Sequence, residues 1–184
     1  MRLRSWDAGY HAMIRAIRAD TAPHLLLLQY TNEWCIANVL LIPRMFFTEN
    51  TIEKRKPLSA TARRAGWVGC NILLRGIPVD GKIAIVSGGV PAPTERVRSE
   101  FERVKGLAKL PPRLRGWTVD VLNVIRRLGK RRFLLHELYQ METELQLLHP
   151  QNRNIRPKIR QQLQVLRDIG LISFKGRGSY TLEA

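Results

Sequence analysis

The feature that most constrains this chain is an apolar spacing near its end. Over residues 153–170, Ile155, Ile159, Leu163, Leu166 and Ile169 fall within roughly 120° of arc on a wheel at 100° per residue. A helix with so narrow a stripe must be covered on that side by other elements. Two helices are expected before it. One has a core face of Val121, Leu122, Ile125 and Leu128, with Thr118 as its cap and Gly129 closing it. The other runs from about His136 to His149 and stops at Pro150. After the third helix, residues 171–175 and 179–182 pair around Gly176-Arg177-Gly178, where glycines make positive φ cheap. Three helices followed by a two-stranded ribbon is the order of a winged helix-turn-helix domain, expected over residues 117–184.

The opposite arc of the third helix carries Arg156, Arg160, Gln161, Gln164 and Arg167, and no acid. An α-helix fits the major groove of DNA. There Arg reaches guanine O6 and N7 with two hydrogen bonds, and Gln does the same to adenine N6 and N7. Lys175 and Arg177 at the hairpin tip suit phosphates. Most basic helix faces are only solvated, and a basic tip can be an ordinary soluble turn. The place of this helix in the pattern, and the absence of acids on its arc, favour base contact.

Charge points the same way. The 184 residues include 31 Lys or Arg against 15 Asp or Glu, a formal charge of +16, which predicts a polyanionic partner. Residues 1–110 hold 17 basic and 9 acidic residues, and residues 111–184 hold 14 and 6. Each part is therefore +8, but the second is far shorter and is the denser cation. Leu110-Pro111-Pro112-Arg113-Leu114-Arg115-Gly116 reads as the join, with residues 111–116 a linker by composition.

The first 110 residues read as mixed α/β. Tyr10, Met13, Ile14 and Ile17 give a helix through about residues 7–19. Residues 25–30 and 35–42 read as buried strands joined by Thr31-Asn32-Glu33, and residues 83–86 as another strand ended by Gly88-Gly89. Thr94 is expected to cap a helix carrying Val97, Phe101 and Val104. Residues 54–67 form a loop with five positive charges, Pro57, Gly66 and a terminal Trp67. Arg63, Arg64 and Trp67 combine charge with a flat ring, a trio that can clamp phosphates while the ring packs on a base. The same residues equally allow a core Trp67 beside solvated charges.

Other chemistry is poorly represented. Cys35 and Cys70 make no CxxC pair and no disulfide framework, which favours a reducing cytoplasm. The longest apolar runs, residues 25–28 and 39–42, are far short of the ~20 residues of a membrane span, so no membrane partner is expected. His11, His24, His136 and His149 lack metal-ligand spacing and read as surface or packing residues. No phosphate loop or nucleophile elbow occurs. Asp80-Gly81-Lys82, with Glu49 or Glu53 upstream, imitates a nuclease metal site, but Asp80-Gly81 is better read as a turn.

At Arg55-Lys56-Pro57-Leu58, Thr61-Ala62-Arg63-Arg64-Ala65-Gly66-Trp67, Gly69-Cys70-Asn71-Ile72, Arg115-Gly116-Trp117-Thr118 and Lys158-Ile159-Arg160-Gln161-Gln162-Leu163-Gln164 the chain resembles the methyl-directed restriction endonucleases of the Dam-replacing family. Leu166-Arg167-Asp168 and Phe174-Lys175-Gly176-Arg177-Gly178 extend the resemblance over essentially the whole length. It implies an α+β protein: a PD-D/ExK nuclease-like α/β domain, here partial, over residues 1–110, then the winged helix. It further implies recognition of GATC with methylated adenine by both domains, with Trp67 at the methylated DNA.

The family's catalytic Asp, its Glu-x-Lys triplet and its zinc cysteines precede the segment matched by Trp6-Asp7-Ala8-Gly9-Tyr10, and none has a counterpart here. Magnesium and zinc are therefore implied for full-length relatives and no cofactor is expected for these residues. Leu134 stands where the family has a Thr that caps the second helix, so that helix is expected to rely on packing for its start. The expectation is a double-stranded-DNA-binding protein directed to adenine-methylated GATC, with little or no cleavage. The alternatives are an active endonuclease on a longer natural chain and a stand-alone winged-helix regulator.

Overall fold

The computed structural model describes residues 9–183. Helix α1 (Tyr10–Arg18) leads into the antiparallel hairpin β1 (Leu25–Tyr30) and β2 (Ile36–Ile42). The part of the first helix expected at residues 7 and 8 lies outside the described residues. The turn between the strands runs on to Trp34, which takes a positive φ of 61° and donates its N–H to the Thr31 carbonyl. A short hairpin follows, β3 (Ile52–Lys54) with β4 (Cys70–Ile72), and then β5 (Ile83–Ser87) and β6 (Val90–Pro91). The larger sheet has the order β1-β2-β5-β6, antiparallel throughout. Because side chains alternate across a strand, Leu25 and Leu27 pack on the core while Leu26 and Leu28 stand exposed on the other face.

Helix α2 (Thr94–Val104) starts differently from the sequence expectation. Pro93 occupies the cap position, Thr94 is the first helical residue, and no side chain caps the end.

The largest departure concerns residues 111–116. They are the start of α3 (Pro112–Arg127), with Pro111 as the flanking residue and Pro112 in the first turn. A proline there costs nothing, since its missing N–H has no helical acceptor and its fixed φ suits the helix. The same two prolines that read as a linker therefore open a helix. Arg115, read as a linker cation, is 2% exposed and donates to Asp20 Oδ1 at 2.6 Å. Thr118 is not a cap but a mid-helix residue.

α3 is buried on nearly every side, from Arg115 through Ile125, and touches both α1 and the third helix of the winged domain. A helix covered all round is the centre of a fold. One apolar cluster accordingly runs from Ile14 and Phe46 through Leu122 to Leu163 and Leu182.

Beyond α3 the winged helix appears with three refinements. A three-residue strand, β7 (Arg132–Leu134), which the sequence did not disclose, joins β8 (Ile172–Gly176) and β9 (Ser179–Leu182) in a sheet of order β7-β9-β8. The single helix expected over residues 136–149 is two, α4 (Leu135–Tyr139) and α5 (Glu142–Leu148). The start of α4 does not rest on packing alone. Glu137 Oε2 accepts the Leu134 N–H at 2.8 Å, the carboxylate half of a capping box whose other half an aliphatic Leu cannot supply.

Helix α6 (Ile155–Asp168) buries Ile155, Ile159, Leu163 and Leu166 as its spacing predicts. It ends with the Gly170 N–H bonded to the Arg167 carbonyl and the Leu171 N–H to the Leu166 carbonyl, Gly170 taking φ 78°. At the tip of the wing Gly176, Arg177 and Gly178 all have positive φ. No helix among the described residues is long and apolar enough to cross a membrane.

Candidate nucleic-acid interface

The two cationic surfaces expected from the sequence both form, and they are built by different means. The segment after β3 continues the β3–β4 hairpin instead of wandering. Arg55 donates its N–H to Gly69 O at 3.0 Å, and Leu58 donates to Trp67 O at 2.9 Å. The tip closes through Ala62 N–H to Ser59 O and Trp67 N–H to Arg64 O, with Gly66 at φ 77°.

Trp67 is half-buried, and glycines hold its ring. A Cβ on Gly69 would lie 2.8 Å from ring atoms Cη2 and Cζ3, and one on Gly9 would lie 3.3 Å from Nε1. Only glycine lets the backbone approach the indole so closely. The Tyr10 N–H bonds to Val68 O at 2.9 Å, which fixes α1 against the same segment. Leu58, Arg63, Arg64 and Trp67 line an open concavity of about 450 Å³. The three expected residues are thus brought together, and Trp67 presents part of its ring to the concavity instead of vanishing into the core.

On α6 every expected residue is exposed: Arg156, Arg160, Gln161, Gln164 and Arg167, with Lys175 and Arg177 exposed on the wing. Most of these polar groups are held by neighbours. Arg156 Nε donates to Glu142 Oε2 at 2.7 Å, and its guanidinium carbon lies 5.2 Å from the centre of the Tyr139 ring. Arg160 Nη1 donates to Tyr139 Oη at 2.9 Å. Gln161 Oε1 accepts from Lys158 Nζ at 2.7 Å, and Arg167 is bonded to Asp168. Lys158 stands 5.6 Å from the centre of the Trp117 ring, and burial, helped by nearby Arg113, pulls its ammonium below the ordinary lysine range.

Sequence reasoning missed the aromatic row across the sheet of the winged domain. Phe133, Tyr180 and Phe174 face one another across β7, β9 and β8, with centroids 5.6 Å and 5.2 Å apart, and Phe174 ends the row half-exposed on the wing. Burial first, then Tyr139, raises the Tyr180 hydroxyl above its usual range, so it stays protonated at neutral pH.

Gln162, between two exposed glutamines, is fully buried against α3. Thr118 Oγ1 lies 2.9 Å from Leu114 O and 2.7 Å from Gln162 Oε1. A hydroxyl has one proton. That proton is shared between two acceptors, Leu114 O and Gln162 Oε1, while the buried Gln162 Nε2 has no partner among the described residues. Gln162 thus ties α6 to α3, a role that no local pattern signals.

The site also rests on interactions between the two halves of the chain. Asp80, the acid that imitated a metal ligand, is 3% exposed. Its Oδ2 accepts from Arg126 Nε of α3 at 2.7 Å and its Oδ1 lies 3.1 Å from Arg103 Nη1 of α2. Asp120 of α3 accepts from Asn50 Nδ2 at 2.7 Å and pairs with His149 Nε2 at 2.8 Å. The His149 ring stacks on Trp117 at 3.4 Å, a packing role in keeping with the sequence reading.

With this geometry in place, the comparison with known families is decisive. Residues 2–110 match the model of the Dam-replacing family, and residues 113–182 match the model of the Dam-replacing HTH domain. The chain belongs to the Dam-replacing family. Its architecture is that of the family, a nuclease-like α/β domain followed by a helix-turn-helix domain, and DNA binding with a restriction-endonuclease-like role follows from that membership.

The metals that the family implies do not fit the described residues. No three His, Cys, Asp or Glu side chains among them stand together as a metal site. Asp80 is engaged by two arginines, Glu49 Oε2 is 2.7 Å from Arg18 Nη2, and Glu53 Oε2 accepts from Asn71 Nδ2 at 2.9 Å. Cys35 is exposed on the β1–β2 turn, while Cys70 is half-buried in β4, where burial raises its thiol above the ordinary range.

Proposed function

We propose that this chain recognises adenine-methylated GATC in duplex DNA, through the Trp67 concavity of its first domain and the α6 face of its winged helix. The observation that carries the reading is the exposed Arg and Gln face of α6, because both side chains can pair bidentately with base edges in the major groove. Arg160 and Gln164 are the base readers. Arg156, Arg167, Lys175 and Arg177 contact the backbone beside them. Methylation of adenine N6 removes one donor and adds apolar surface, and the Trp67 ring with Leu58 beside it offers apolar surface for that methyl. Arg63 and Arg64 hold the flanking phosphates.

The test is titration of methylated and unmethylated duplexes of one sequence at one salt concentration. Tighter binding to the methylated duplex is expected. Equal affinities overturn the methyl-specific reading and favour a winged-helix regulator. The 184-residue chain binds without cutting in this proposal, because metal-assisted hydrolysis needs anionic ligands beside the scissile phosphate and Asp80, Glu49 and Glu53 are committed elsewhere. Methylated plasmid incubated with the protein and magnesium stays intact. Discrete cleavage at GATC by the purified protein would overturn this part of the proposal.

A further inference from the structure

We infer that Tyr139 of α4 is a positioning residue for DNA recognition, fixing Arg160, the base reader of α6, and Arg156, the backbone contact beside it. The inference rests on the reading of α6 as the base-reading helix and adds to it a residue that touches no base. Tyr139 makes two separate contacts with α6. Its hydroxyl oxygen accepts from Arg160 Nη1 at 2.9 Å, and its ring lies under the Arg156 guanidinium at 5.2 Å. Arg156 and Arg160 are one helical turn apart on the same side of α6, so one tyrosine on the neighbouring helix reaches both.

Tyr139 itself is anchored. It packs on the apolar cluster, and α4 begins with the Glu137 bond to the Leu134 N–H. Glu142, at the start of α5, takes Arg156 Nε from the other side. A free arginine must give up its rotamer freedom to make a bidentate contact with guanine. An arginine already held loses less on binding. The hydroxyl uses only its lone pair on Arg160, which leaves the rest of that guanidinium fork for the base. Tyr139 and Glu142 thus set where the two cations stand before DNA arrives. Neither residue falls on the Arg and Gln arc, and neither is found by reading α6 alone.

The experiment compares wild type, Tyr139→Phe, Arg160→Ala and the double variant. Dissociation constants are measured for methylated GATC and for duplexes with one base pair of the site replaced, each over a range of salt. Tyr139→Phe keeps the ring under Arg156 and removes only the bond to Arg160. It is expected to lower the ratio of cognate to mismatched affinity about 3- to 10-fold, the size of one hydrogen bond, with the salt slope unchanged because no charge is lost. Arg160→Ala lowers the ratio further, and adding Tyr139→Phe to it changes nothing more.

Discrimination left intact by Tyr139→Phe but lost in Arg160→Ala overturns the role of Tyr139 and leaves the base-reading helix standing. Discrimination left intact by Arg160→Ala overturns the base-reading helix, and the role of Tyr139 falls with it. Equal weakening on every duplex, accompanied by a lower melting temperature, makes Tyr139 a packing residue and also overturns the inference.

Discussion

The two cationic surfaces carry similar residues but are fixed in opposite ways. On the β3–β4 extension the backbone does the fixing. Two glycines at Gly9 and Gly69 bring the main chain against Trp67, and hydrogen bonds from Arg55 and Leu58 hold the strands in register. On α6 the backbone is a regular helix and side chains do the fixing, through Tyr139, Glu142, Lys158 and Asp168. A backbone-built site is rigid, and a single added carbon disturbs it. A side-chain-built site loses one contact at a time. The first suits a shape test on a flat ring or methyl, and the second suits a set of separable contacts to bases and phosphates.

The largest effect tests whether both surfaces hang on one frame. Asp80→Asn leaves Arg103 and Arg126 facing a neutral amide in a mostly buried place. Losing one partner of a buried pair costs about 3–5 kcal/mol, and the lower end applies because both guanidiniums reach water at one edge. Urea unfolding should show one transition at lower denaturant, with both surfaces lost together. Two separate transitions would show that the surfaces belong to independent frames.

Next in size is Gly69→Ala, which puts a Cβ 2.8 Å from the Trp67 ring. Overpacking of this kind costs about 1–3 kcal/mol and turns the ring out of its place. Preference for the methylated duplex should fall while discrimination among bases by α6 remains. Loss of both would erase the contrast between the sites.

Lys175→Ala sharpens the contrast within the winged helix. A phosphate-contacting cation on the wing should weaken binding to all sequences about equally and reduce the salt slope by about one. A sequence-dependent loss would move Lys175 from the backbone to the bases.

The smallest effect lies away from both surfaces, at the Arg18–Glu49 pair joining α1 to the turn before β3. The hydrogen bond and charge of Arg18 hold the Glu49 carboxyl below its ordinary value of 4.5. A depressed carboxylate contributes stability above its unfolded value, and that contribution disappears as pH falls through the lower folded value. The pair is largely exposed, so Glu49→Gln should cost less than about 1 kcal/mol at neutral pH and nothing in strong acid. Melting curves across that range give the difference directly.

The contrast also explains what was legible in the sequence. The face and core stripe of α6 were readable because helical spacing is local, and residues 155–169 carry it without help. The Gly-Arg-Gly tip of the wing was readable for the same reason, since only its own backbone needs positive φ. Trp67 was left between core and surface, because its surroundings come from Gly9, far away in sequence, and from an approach distance that no pattern encodes. Pro111 and Pro112 misled because a proline pair at a helix start looks the same as one in a linker. Strand β7 was too short to alternate visibly. Tyr139, Gln162 and Asp80 take their roles from residues 21, 44 and 46 positions away, so only the folded chain reveals them.

The helix that begins at Pro112 has a consequence for how two binding surfaces can cooperate. Two modules on a flexible tether search a volume, and each raises the local concentration of the other's target over a range of distances. Here the modules meet at Leu110 and Pro112 with no slack, and Arg126 and Arg115 of α3 are bonded to Asp80 and Asp20 of the first domain. The spacing between the surfaces is then a fixed length. If both surfaces bind DNA as proposed, DNA that presents two targets at that length gains avidity, and DNA that presents them at any other length is bound by one surface at a time.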